Sequence, residues 1–359
     1  MLKTPLHDWH VAHGGRMVDF AGWSMPVQYS TITDEHQAVR NAAGLFDISH
    51  MGRLRVTGTE AASLVERLVT CRISSLKPGR VRYGLMTNEA GGILDDVLIY
   101  ALGEGDLAIV VNASNRRKIV SWIESHIGDA DVAFADDTLQ LGMIALQGPR
   151  AAELLSSHVD IDLSKLGYYR CLNATVFDLS ALVSRTGYTG EDGFEFILPA
   201  ELAPGLWERL MSLGGGSVTA CGLGCRDTLR LEAAMPLYGH ELRESIDPIT
   251  AGLSFAVALD KNFIGRDAIK QVAEHGPEKV RVGLRLAGKR IAREGTSILA
   301  GEKTVGEVTS GTFAPTLQAS IAMGYVFSQF AESGTTLDVD LRGKRESTAV
   351  VPLPFYRRA

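Results

Sequence analysis

From Arg281 onward the chain loses every helical period. It breaks into the short segments "RVGLRLAG", "TSILAG", "KTVGEVTSG", "IAMGYV", "TTLDVDLRGK" and "STAVVPLP", cut apart by Gly, Lys and Glu. Apolar residues at alternate positions, as in Leu337, Val339 and Leu341, mark half-buried strands. Such strands hold only by pairing with one another, so a small all-β domain beginning near residue 278 is expected. The residues before it follow another pattern. The stretch "TITDEHQAVRNAAGLFDIS" predicts a helix: Thr33 can cap its start, Asp34 and Glu35 suit the positive end, Arg40 suits the last turn, and Gly44 stops it before a strand at Leu45. A strand at "RLRVTG", a helix at "EAASLVERLV", a hairpin at "VRYGLMTNEAGGILDDVLIYAL", a strand at "LAIVVNAS" and a helix near "NRRKIVSWIESH" follow. A comparable unit recurs from "TLQLGMIALQG", with a helix at "RAAELLSSH", strands at "ATVFDLSALVS" and "FEFILP", and helices at "LAPGLWERLMSLG" and "CRDTLRLEA". Helices mixed with antiparallel strands give an α+β fold, not a parallel βαβ series.

Charge and cysteine usage narrow the function classes. With 359 residues the chain suffices for two or three domains, and its formal net charge of -6 supplies no basic field for nucleic acid or an anionic membrane. The start "MLKTPLHDWH" has no signal-peptide core, and no later run approaches a membrane span, so a soluble, cytoplasmic protein is expected. Four scattered cysteines do not make a disulfide framework. Cys221 and Cys225 flank "GLG" with no second Cys/His pair nearby in sequence, and His7, His10 and His13 share a helical face without carboxylates; both sets read as packing, and no metal is expected.

Three places carry candidate chemistry. In "NEAGGILDDVLIY" two adjacent carboxylates, Asp95 and Asp96, sit in a strand after a Gly-Gly turn. Alternation puts Asp95 with Ile93, Val97 and Ile99, and Asp96 with Leu94, Leu98 and Tyr100, so neither faces plain solvent. A buried carboxylate must be paired, protonated or used. In "RTGYTGEDGFEF" the glycine spacing fits no phosphate loop, and Glu191 and Asp192 would repel an anion; a turn entering a strand is expected, with Glu195 reading as a solvated edge carboxylate. In "CGLGCRDTLRLEAAMPLYGHEL" Arg226 and Arg230 lie one helical turn apart near Asp227 and Glu232, either as an ion-pair network on an exposed face or as an Arg fork for a ligand. No GxSxG, HExxH or kinase motif appears. The residues alone name no substrate.

The blocks "MVDFAGWSMPVQY", "HQAVRNAAGLFDISHM", "TNEAGGILDD", "GYTGEDGFE", "RDTLRLEAAMPLYGHEL" and "VGEVTSGTFAPTL" together resemble the aminomethyltransferase, or T-protein, family of the glycine cleavage system, from about Thr4 to Val351. The resemblance implies two folate-binding α+β parts around a central tetrahydrofolate pocket within residues 1–274, and a C-terminal β-barrel over residues 278–359. It also implies transfer of the methylene of an aminomethyl group, carried on the lipoyl arm of H-protein, to tetrahydrofolate, with release of ammonia. By motif position the catalytic aspartate is expected to be Asp95, with Asp96 left structural, and Glu195 is expected to read the pterin edge. Met51, Tyr83, Asn112 and Tyr188 match other pocket positions, Arg226 and Arg293 match ligand-binding arginines, and Phe255 stands where relatives have another aromatic. Lipoylated H-protein is the implied partner, and a monomer is expected. Among relatives of the fold, the iron-sulfur assembly branch carries a K-G-C-Y-x-G-Q-E type motif where this chain has "RTGYTGEDGFE". Sarcosine and dimethylglycine oxidising enzymes add a flavin domain whose fingerprint is missing from this sequence. A tetrahydrofolate-dependent demethylase and a non-catalytic folate-binding regulator stay open as alternatives.

Overall fold

The computed structural model describes residues 1–358. The chain forms two compact units, one of Met1–Gly84 with Asp96–Arg226, the other of Leu85–Asp95 with Asp227 onward. In the first unit the expected helix spans Ile32–Asn41, and its cap is Thr31, not Thr33: the Thr31 hydroxyl accepts the Asp34 amide at 3.1 Å. Gly44 does not stop it either. That glycine lies within the strand Ala43–Asp47, where a Cβ would come within 2.4 Å of Val39 and 2.8 Å of the Cys221 sulfur, so close packing requires it.

Ala43–Asp47 belongs to a six-stranded sheet in the order Cys171–Val176, Leu179–Ser184, Gly193–Pro199, Leu141–Gln147, Ala43–Asp47, Val218–Ala220. The strand Gly193–Pro199 turns Phe194, Phe196 and Leu198 into the core, where they pack with Leu206, Trp207 and Leu210 of the helix Ala203–Met211. Each such side chain contributes roughly 1.5 to 3 kcal/mol by leaving water. The opposite face of the same strand therefore carries Glu195. A second sheet runs in the order Arg80–Thr87, Ile93–Gly103, Asp106–Val111, Gly52–Thr57, Ala133–Asp136, and a small third sheet joins Leu2–Lys3, Trp23–Pro26 and Met17–Phe20.

The tip of the predicted hairpin, Leu85–Asp95, groups with the second unit. Its Gly-Gly pair has two separate reasons. Gly91 takes a φ of +83°, which closes the turn on the Asn88 carbonyl, and a Cβ on Gly92 would lie 1.8 Å from the Glu244 carbonyl oxygen. The Ile93 amide then donates to the Ile246 carbonyl at 3.0 Å. The short C-terminal strands close into a barrel in the order Lys279–Leu286, Ala319–Phe327, Lys303–Ala314, Ser297–Ala300, Thr336–Asp340, Arg345–Val351, the last pairing with the first. Leu337 and Val339 point inward with Val282, Leu284, Ile298 and Val326, as their alternation requires, while Leu341 lies just past its strand.

Within this unit Arg230 is buried rather than on an exposed helix face. Its Nε donates to Asp227 at 2.8 Å, Nη1 to Glu241 at 2.9 Å and Nη2 to the Ser310 hydroxyl at 2.8 Å. Glu241 also accepts the Thr309 hydroxyl at 2.6 Å and the Leu237 amide at 3.0 Å, so the buried charges are matched. Its carboxyl is held below the ordinary value despite burial, because the Arg230 guanidinium and the Ser310 and Thr309 hydroxyls favour the anion. Among the described residues no helix is long and apolar enough to cross a membrane.

Candidate active site

Glu195 is not an edge carboxylate. Its strand is third of six, with Ala145 opposite on one side and Ser184 on the other, and the residue is only 5% exposed. Thr186 donates its hydroxyl proton to a Glu195 oxygen at 2.5 Å. That proton being used, Ser184 must donate to Thr186 across their 2.8 Å contact. Burial raises the Glu195 carboxyl above its ordinary value, while the Thr186 bond and the Arg226 charge pull it back. The turn leading into the strand is locked by three side chains. Arg185 grips Asp192 with two bonds at 2.9 and 2.6 Å, Arg40 meets Glu191 at 2.9 Å and the Thr189 carbonyl at 2.7 Å, and Gln147 donates to the Thr186 carbonyl at 3.0 Å. The two acidic residues that argue against an anion in the sequence are thus consumed by arginines. Tyr188, fixed on this turn, has the Arg226 guanidinium 4.7 Å from its ring centroid. Burial pulls the Arg226 guanidinium below its ordinary value, and Tyr188 and Glu195 oppose that.

A second cluster forms on Asp96. The Asn112 amide donates to its Oδ1 at 2.7 Å and to its carbonyl at 3.2 Å, and the Tyr83 hydroxyl donates to its Oδ2 at 3.1 Å. Burial pushes the Asp96 carboxyl up to about 6 even though both donors favour the anion. The Tyr83 hydroxyl is raised well above its ordinary value by burial and by Asp96, with Tyr188 and Tyr169 adding to the effect. Tyr169 likewise feels both Glu195 and Asp96, so the two carboxylates share one electrostatic neighbourhood within the first unit. Asp96, Tyr83, Asn112, Tyr188 and Arg226 are all half-buried, which leaves this neighbourhood open to solvent. Asp95, by contrast, is fully buried.

Residues 6–261 match the GCVT N-terminal domain family, and residues 279–357 match the glycine cleavage T-protein C-terminal barrel domain family. The chain belongs to the glycine cleavage T-protein family. An aminomethyltransferase of Bacillus cytotoxicus is 44% identical over 364 residues, spanning 100% of this chain and 99% of the relative, and one of Bacillus cereus strain G9842 matches equally. A crystal structure of the glycine cleavage system aminomethyltransferase T from Bartonella henselae superposes with a TM-score of 0.93 at 35% identity, covering 99% of this chain and 98% of that one.

Of the residues that the T-protein resemblance singles out, the structure places Met51, Tyr83, Asn112, Tyr188, Glu195 and Arg226 in the first unit, and the last five stand in the two clusters. Met51 is half-buried, in the segment after Ala43–Asp47. Asp95 and Arg293 fall in the second unit, where Arg293 is an exposed loop residue and Phe255, 77% exposed, sits in the short 3-10 helix Ser254–Ala256. Sequence reasoning missed Ser184, Thr186 and Tyr169. Thr186 stands in the quoted "RTGYTGE", but only strand register reveals that Ser184 lies opposite Glu195. It also missed that Glu35, far away in sequence, brings a carboxylate oxygen within 4.8 Å of the Cys221 and Cys225 sulfurs. Glu35 accepts the backbone amides of Tyr29, Ser30 and Gly222 at 2.6, 3.0 and 2.8 Å, which makes it a clamp on two chain segments. The histidine row spreads apart: His10 bonds Asp47 at 2.9 Å and the Tyr29 hydroxyl at 2.7 Å, while His13 stacks on Trp9.

Proposed function

We propose that the protein takes the aminomethyl group carried on the lipoyl arm of H-protein, passes its methylene to tetrahydrofolate, and releases ammonia and the reduced lipoyl protein. Tetrahydrofolate enters as a co-substrate whose amine nitrogens supply the nucleophile. The donor set suits a reduced pterin. A buried carboxylate such as Glu195 can accept an amino group and a ring N–H side by side, and the Arg226–Tyr188 pair offers a flat cationic wall beside it.

The observation that carries the reading is the Asp96 carboxyl, held by two donors and pushed up to about 6. A carboxyl poised close to neutrality can take up a proton and return it within one turnover, and its remaining lone pairs can hold an N–H of the bound amine. The acid–base role therefore moves from Asp95 to Asp96. Half-burial and contact with Tyr83 and Asn112, both expected in the same pocket, support the change, whereas Asp95 is fully enclosed. In this reading residues 1–274 hold the folate, 278–359 form the barrel domain, Arg293 is a further folate contact, and the enzyme works as a cytoplasmic monomer.

The test is ammonia release from H-protein bearing the aminomethyl intermediate, with and without tetrahydrofolate. Release that depends on both is expected. Folate-independent release would remove tetrahydrofolate from the reaction, and equal use of a free methylated amine would replace this function with the tetrahydrofolate-dependent demethylase alternative.

A further inference from the structure

Tyr100 lies in the strand Ile93–Gly103, is fully buried, and its hydroxyl has no hydrogen-bonding partner among the described residues. A phenol enclosed in that state carries a desolvation cost, and native folds rarely keep one without a use. The backbone says where it stands. Alternation puts Tyr100 on the face of its strand that carries Asp96, with the two residues roughly 13 Å apart along the chain direction. At the Tyr100 end the strand is stitched to the six-stranded sheet through Gly79. The Gly79 amide donates to the Ala101 carbonyl at 2.8 Å, and the Gly79 carbonyl accepts the Cys171 amide at 3.0 Å. Cys171 pairs with Ser184, and Ser184 pairs with Glu195. Tyr100 and its neighbour Ala101 thus open a row of contacts, all within the first unit, that ends on the Glu195 carboxylate.

The side chains of this row donate in one direction. Ser184 donates to Thr186 at 2.8 Å and Thr186 to Glu195 at 2.5 Å, so the Ser184 oxygen keeps a lone pair for a donor behind it. The Tyr100 hydroxyl is beside it. Burial raises the phenol well above its ordinary value and Glu195 adds to the effect, while the neighbouring Ser184 and Thr186 hydroxyls pull it back. The phenol is therefore protonated and available as a donor at any working pH, yet it meets neither hydroxyl in hydrogen-bonding geometry. A ligand that covers Glu195 and excludes water changes this balance. In the lower local dielectric each bond to the carboxylate strengthens, and hydroxyls bonded in series polarise one another. Closing the first link of the series then becomes favourable.

We infer that Tyr100 is a positioning residue of the site: its hydroxyl closes onto Ser184 when a ligand occupies Glu195, and the series Tyr100–Ser184–Thr186 then holds the carboxylate as an acceptor for the pterin edge. The inference rests on the folate reading above. It is tested by anaerobic calorimetric titration of the full chain with tetrahydrofolate, for the parent, Tyr100→Phe, Ser184→Ala and the double variant. Tyr100→Phe removes one oxygen and keeps the ring. It should raise Kd about 3- to 10-fold, while the ligand-free melting temperature stays at or above that of the parent, because the oxygen has no bond to lose before the ligand arrives. With Ser184 already replaced by Ala, the same change should move Kd by less than about 2-fold, since the series is cut. In turnover with loaded H-protein, KM for tetrahydrofolate should rise with Kd and kcat should stay within about 2-fold of the parent, because the Asp96 cluster is not touched. Parental Kd for Tyr100→Phe, a lower ligand-free melting temperature, or single effects that simply add in the double variant would show that the phenol only packs. If Ser184→Ala does not fold, the opposite movement of affinity and melting temperature in Tyr100→Phe decides the matter by itself. Failure of the parent to bind tetrahydrofolate would overturn the folate reading, whereas parental binding by Tyr100→Phe overturns only the role of Tyr100.

Discussion

Replacing Asp96 by Asn should make the enzyme slower and, at alkaline pH, more stable. The carboxyl moves from an ordinary value of 3.8 to about 6 on folding, a change that corresponds to about 3 kcal/mol. A folded-state value above the unfolded one means that the protonated group favours folding. That advantage is full below about pH 4 and is lost as pH rises through about 6, so above about pH 7 the folded chain bears the whole cost of holding the anion. Asn is neutral throughout and escapes this cost. It has its own, because Tyr83 and Asn112 each donate to a different carboxylate oxygen, and the new amide NH2 would face one of those donors. That mismatch costs about 1 to 2 kcal/mol. The net expectation is a gain of about 1 to 2 kcal/mol at pH 8 that turns into a loss of similar size below about pH 4.5. Urea unfolding of parent and Asp96→Asn at the two pH values measures it. In parallel, ammonia release in single turnovers should fall about 100- to 10,000-fold, the usual worth of a positioned acid–base group. For the parent, activity should decline as pH falls through about 6, because the ionised carboxylate is the form that both neighbours hold in place. A stability difference that is the same at both pH values would refute the raised value. Near-parental turnover in folded Asp96→Asn, with Asp95→Asn inactive, would return the catalytic role to the first aspartate.

Two other outcomes test the rest of the site. Glu195→Gln exchanges one acceptor oxygen for a donor beside the Thr186 hydroxyl, so tetrahydrofolate binding by calorimetry should weaken by about 1.5 to 3 kcal/mol, and unchanged affinity would reduce Glu195 to a packing role. If H-protein docks through matched charges, raising ionic strength should lower kcat/KM for loaded H-protein more than for free aminomethyl-lipoamide at equal folate saturation; an equal response of both donors would remove electrostatic docking from the account.

Much of the architecture was legible in the residues. Period-two alternation in "TTLDVDLRGK" predicts an inward Leu337 and Val339, and the barrel buries both. Most helices and strands between Ile32 and Glu232 follow from local pattern, because each apolar period is set within a few residues even though the strands take their hydrogen bonds from distant segments; Met17–Phe20, Trp23–Pro26, Ala133–Asp136, Val218–Ala220 and Arg266–His275 are not among the expected elements. Small errors were local too: Thr31 and Thr33 both suit a cap, and only the backbone conformation chooses Thr31. The family blocks point to Tyr83, Asn112, Tyr188, Glu195 and Arg226, but not to how their side chains are wired together. Alternation puts Asp95 and Asp96 on opposite faces of one strand, yet it does not say which face a neighbouring sheet will cover; tertiary packing enclosed Asp95 and gave Asp96 to Tyr83 and Asn112. Glu195 reads as an edge carboxylate until strand pairing places it third of six beside Ser184, and Arg230 reads as a surface charge until the fold brings Glu241, just beyond the helix, and Ser310, far off in the barrel, against it. The physical reason is the same in each case. A residue's conformational preference is set by its immediate neighbours, whereas the cost of its charge is set by whatever the rest of the chain brings to within about 4 Å of it.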